Sequence, residues 1–109
     1  FVIHTMDHLA YLLSAMKAIP EGDGSLLDNA VVLATSVCSD GTTHQIDEYP
    51  LVLAGRGGGA LKTGFHYRSE SRASATEVPL SLMRAMGMTS ASYGTGATYA
   101  EQGLGEIEA

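Results

Sequence analysis

LVLAGRGGGALKTG, residues 51–64, decides how the chain is read. An apolar run passes directly into glycines, so the stretch is either a buried strand opening on a phosphate cradle or a strand with a flexible exit. Gly55, Gly57 and Ala60 satisfy the pattern G-x-G-x-x-A after a strand. That fingerprint works by aiming a helix N-terminus at a pyrophosphate. Here LKTGFHYRSES follows, with Gly64 early and no helical period. The P-loop pattern fails as well, because Leu61 rather than glycine precedes Lys62. The stretch therefore reads as a strand and an exit turn in which glycine supplies positive φ.

Upstream lies a second apolar run, AVVLATS at residues 30–36, whose short, β-branched, unbroken character predicts a strand buried on both faces. The intervening SDGTTHQIDEYP, residues 39–50, is polar and turn-rich. Ahead of both, TMDHLAYLLSAMKAI at 5–19 places Leu9, Leu12, Leu13, Met16 and Ile19 at helical spacing, with Thr5 as N-cap. Pro20 and the Gly22-Asp23-Gly24 turn end that helix. Residues 66–76 have no period and read as a surface loop. Thr76 then caps a second helix, EVPLSLMRAMG, with Leu80, Met83 and Met86 on one face and Gly87 as its stop. Residues 1–88 thus form one α/β unit, and 89–109 a weakly structured Gly/Ser/Glu-rich tail. Strands 30–36 and 50–54 beneath a helix read as part of an α/β sheet, with further strands expected upstream of Phe1.

The totals bound the partners. Twelve acidic against six basic residues leave a net charge of -6, which argues against nucleic acid or an anionic membrane surface. No apolar stretch reaches the ~20 residues of a membrane span. A single cysteine, Cys38, excludes an internal disulfide.

The ordered series KAIPEGDG, LLDN, SVCSDGTTH and YPLVLAGRGGGALKTG, within residues 9–88, resembles the C-terminal part of a family of secreted bacterial proteins named for an HXXSHH motif. The HXXSHH motif itself is absent from this chain. The resemblance implies a fold like that of alkaline phosphatases and sulfatases, so that the chain would be the C-terminal fragment of a three-layer αβα sandwich completed by an N-terminal portion. It also implies a secreted or periplasmic protein, with a zinc- or calcium-like divalent metal serving hydrolysis of a phosphate or sulfate ester. The metal-facing residues it implies are His44 and Asp40. Two positions depart from the family pattern: Ile46 stands where a second histidine is usual, and Val37 where an acidic residue is usual. A hydrolytic metal site takes three protein ligands and an open position. The alternative is therefore a non-catalytic envelope or binding protein that keeps the fold without the ligands; a small stand-alone interaction module is the third reading.

Other candidates carry weaker chemistry. Cys38 and His44 are close enough in sequence for a thiol nucleophile and its base, but a small buried hydrophobe is the plainer role for Cys38. His4 and His8, four apart, share one helix face in the manner of a chelating pair or an ordinary exposed flank. His66 and Arg68 can meet an anionic group or simply face water.

Overall fold

The computed structural model describes residues 1–109. Helix α1 spans Val2–Ala18. It starts three residues before the expected segment, so Thr5 lies inside it, and the Thr5 hydroxyl bonds back to the Phe1 carbonyl. The helix stops where Pro20 is reached, and Pro20–Glu21 (β1) pairs antiparallel with Gly24–Ser25 (β2) across the Gly22 turn. Ser25 then caps the short helix α2, Leu26–Asn29. Its hydroxyl accepts the Asp28 amide, while Asp28 Oδ2 takes the Ser25 amide and hydroxyl at 2.9 and 2.7 Å. This capping box satisfies amides that a helix start leaves open. It also holds the Asp28 carboxyl below the usual range, the Ser25 hydroxyl and then the Ser25 amide being the main causes.

Strands β3 (Val32–Thr35) and β4 (Leu51–Ala54) fall where the two apolar runs place them. Their pairing is antiparallel, Val32 opposite Ala54 and Thr35 opposite Leu51. This overturns the three-layer αβα sandwich. Residues 36–50 return the chain as a long hairpin loop with no helix in it, whereas parallel strands require a crossover. Each of the two sheets has only two strands, so no central sheet exists for helices to cover on both faces. The hairpin is covered on one side only. Leu51 and Leu53 pack on the core, whereas Val52, pointing the other way, is 44% exposed.

Beyond β4 the glycines do what the strand exit demands. Gly55 has φ of 90°, and a Cβ there would stand 2.2 Å from the Ala30 carbonyl oxygen, so only glycine lets the two segments touch. A 3₁₀ turn at Gly57–Gly59 brings Leu61 into the core. Helix α3, Glu77–Ala85, follows the surface segment and ends at Gly87, whose φ is 84°. Thr76 does not cap it; its hydroxyl pairs with Ser74.

The core is assembled from distant pieces: Leu61, Val78, Leu104 and Ile107, with Val31, Leu51, Leu53, Ala73, Leu82 and Ala85 packed around them. Residues 89–109 hold little regular structure, yet they supply Ala100, Leu104 and Ile107 to the interior. They are tied down by an antiparallel bridge between Leu61 and Glu108 and by the fully buried Ser81 of α3. The Ser81 hydroxyl donates to Glu108 Oε1 at 2.6 Å and accepts the Leu104 amide at 2.8 Å. Only eight residues in all are buried, and the radius of gyration is 14.9 Å against about 13 Å for a tightly packed chain of this size. Helix α1 has no buried residue.

Candidate functional site

The loop between β3 and β4 is built by its polar residues. Asp40 Oδ1 accepts the amides of Thr42 and Thr43 at 2.7 and 3.4 Å, an aspartate turn that starts the reversal. These two amides keep the Asp40 carboxyl below its ordinary value. Asp40 pairs with Gln45, and the amide and hydroxyl of Ser39 both bond the Gln45 carbonyl, at 2.7 and 2.9 Å. At the loop's base, Thr35 donates to the Pro50 carbonyl at 2.8 Å and Tyr49 donates to the Ser36 carbonyl. The hairpin is therefore zipped beyond the last ladder pair, and residues 40–45 form a tight tip.

His44 sits in that tip with φ of 55° and an exposed ring. It lies in the same turn as Asp40, as the sequence places it. The third ligand that a hydrolytic metal would need is not brought to them, because Val37 and Ile46, 90% and 70% exposed, stand at the other two positions. No group of three or more His, Cys, Asp or Glu residues comes together anywhere in the chain. One Asp40 oxygen is engaged by the loop's own amides. Cys38 is a free, half-buried thiol with no hydrogen bond to His44.

From Ile46 the loop runs along the rim of an open groove of about 630 Å³. Its apolar lining includes Leu51, Leu53, Val78, Leu104 and Ile107, and its charged and imidazole groups are Lys62, His66, Arg68 and Arg72 together with the carboxylates Asp47 and Glu48. Three of the chain's six lysines and arginines thus line one cleft of an acidic protein. Arg68 grips Glu48 bidentately, Nε to Oε2 at 2.9 Å and Nη2 to Oε1 at 2.7 Å. The guanidinium's hydrogen bonds and charge hold the Glu48 carboxyl down, with Arg72 adding a smaller attraction. Lys62 and Arg72 form no ion pair, the Arg68–Glu48 pair being the chain's only one.

The backbone singles out the same region. The three non-glycine residues with left-handed φ are His44, Glu48 and Arg72. This conformation is uncommon for such residues, and strain of this kind concentrates where side chains must be aimed. Glu48 and Arg72 line the groove, and His44 stands at the tip of the loop that forms its rim. Reading the sequence for ligands singled out His44 and Asp40, while the groove was missed. Its signal was the packing of Lys62, His66, Arg68 and Arg72 into eleven residues of an acidic chain.

On α1, His4 and His8 meet with their Nε2 atoms 3.1 Å apart and their rings edge to face. No helix is long and apolar enough to cross a membrane. Compared with family models, curated proteins and solved structures, the chain matches none.

Proposed function

We propose that the chain is a non-catalytic binding module for a small anionic group of the phosphate- or sulfate-ester class, seated in the groove beside the β3–β4 loop. The observation that carries this reading is the gathering of Lys62, Arg68 and Arg72, with His66, against only two carboxylates, Asp47 and the Arg68-paired Glu48, beside apolar side chains in a protein of net charge -6. Lys62 and Arg72 supply unpaired charge, and Arg68, already oriented by Glu48, offers a planar edge that suits an oxyanion. The apolar lining suits the organic part of such an ester. The ordered motif series resembling the HXXSHH-motif family supports the ester class and an extracytoplasmic setting; the phosphatase-like fold lends no support, since the hairpin replaces it.

Titration with phenyl phosphate and phenyl sulfate, followed by calorimetry, tests the proposal. Saturable binding that weakens about tenfold or more in Arg72→Ala and in Lys62→Ala is expected, as for a lost charge-assisted hydrogen bond. Absence of binding, or binding indifferent to both substitutions, overturns it.

A second reading, a divalent-metal ester hydrolase using His44 and Asp40, is favoured by the continuity of their loop with the groove rim. It requires ligands and a nucleophile from outside this chain. Ester hydrolysis that depends on added zinc or calcium and falls in His44→Ala would establish it over the binding reading.

A further inference from the structure

Helix α1 is apolar almost all round, with Val2, Ile3, Met6, Leu9, Leu12, Leu13 and Met16 distributed over its circumference. A helix of this kind is ordinarily enclosed. Here Leu9, Leu13 and Met16 are half-buried on the side facing the rest of the chain, and the remainder is open. The outward side has a regular pattern of its own. Phe1, His4, His8, Tyr11, Ala15 and Ala18 follow one another at spacings of three and four along one seam of the helix, and all six are exposed.

Two of those seam positions are histidines whose Nε2 atoms lie 3.1 Å apart. In the neutral pair one imidazole donates its Nε2 proton to the lone pair of the other, and moving that proton to Nδ1 leaves both Nε2 atoms with lone pairs for an ion. A zinc ion bound to two imidazoles at ~2.0–2.1 Å in tetrahedral geometry separates the nitrogens by about 3.3–3.4 Å. The pair is therefore within a few tenths of an ångström of a metal bite, and both rings are exposed and free to turn. It supplies half of a tetrahedral set, and no third His, Cys, Asp or Glu of the chain joins it.

We infer that His4 and His8 form a half-site for a zinc-like divalent ion, completed by the same pair from a second copy of this chain packed along the α1 seam. A like seam pairs with itself across a two-fold axis, and an axis passing beside the histidines brings four imidazoles round one point. Phe1 and Tyr11 flank them and are covered by the same contact. The inference is independent of the groove.

Sedimentation of the whole chain with added zinc chloride tests it, with zinc content measured on the separated species. The expected result is a monomer without metal and a dimer holding one zinc per two chains, abolished in His4→Ala and in His8→Ala. Tyr11→Glu, which leaves the ligands in place, is expected to weaken the dimer by putting like charges across the seam. Four results would overturn the inference: no zinc uptake, one zinc per chain without association, a dimer that forms without zinc, or zinc-dependent association surviving in the double histidine variant.

Discussion

Helices α1 and α3 invert the usual relation between composition and burial. The first has seventeen residues and the more continuously apolar sequence, yet none of its side chains is buried. The second has nine residues, a proline and a serine, and buries Val78, Leu80 and Ser81. The difference lies in what converges on each. Around α3 come the 3₁₀ turn, the β3–β4 hairpin and the segment 100–108, which arrive from different parts of the chain and close on its inner face. Against α1 come chiefly α2 and the two-residue strand β2. Apolar surface becomes core when it is enclosed from several sides, and hydropathy along the chain does not report enclosure.

The sharpest test of this contrast replaces one leucine in each helix. Leu80→Ala, at a site with no exposed surface, is expected to cost ~2–5 kcal/mol, and Leu12→Ala on the outer side of α1 no more than ~0.5 kcal/mol. Urea unfolding of both variants measures the difference; similar losses would mean that α1 is as enclosed in solution as α3. Ser81→Ala comes next, because it leaves the Leu104 amide and the Glu108 carboxylate without their partner. A loss of ~1–3 kcal/mol is expected from the same unfolding measurement, accompanied by faster amide exchange at Leu104.

The smallest effect is that of acid. Asp28, Asp40 and Glu48 all have folded-state values below their ordinary 3.8, 3.8 and 4.5. Groups held down in this way contribute stability that is fully present above the unfolded values and disappears as pH falls through the folded ones. Thermal midpoints should therefore be level from about pH 6 to 5 and fall below about pH 4.5, with the β3–β4 loop and α2 loosening ahead of α3, which carries none of the three. Amide exchange at pH 3 that frees α3 first would contradict this order.

Much of the local structure was legible. Both long helices, both apolar strands and the glycine exit turn occupy the residues that periodicity and turn chemistry assign them. What the sequence withheld was direction and distance. An unbroken run such as AVVLATS announces a strand but carries no mark of which way its partner runs, and residues 36–50 proved to be a loop-closed hairpin rather than part of a layered sheet. The tail 89–109 reads as weakly structured because Gly, Ser and Glu dominate it, although Leu104 and Ile107, three apart, are the trace of a buried turn. Ser81 gave no signal at all, since a serine between two leucines in a helix has the same appearance whether it faces water or a carboxylate. Asp40 and His44 were found together in one turn, but the groove beside them is made by residues 46–78 and 104–107 meeting in space.

The bridge joining Leu61 to Glu108, with the Lys62 amide bonded to the Ile107 carbonyl at 2.9 Å, also sets an order of events during synthesis. Helix α1 and the β3–β4 hairpin are made of near neighbours and can form while the chain is still emerging from the ribosome. Leu61 and Val78 cannot be enclosed until residues 104–108 have followed them out, so the apolar lining of the groove is left open to water, and to chaperones, until the last stretch of this segment has been made.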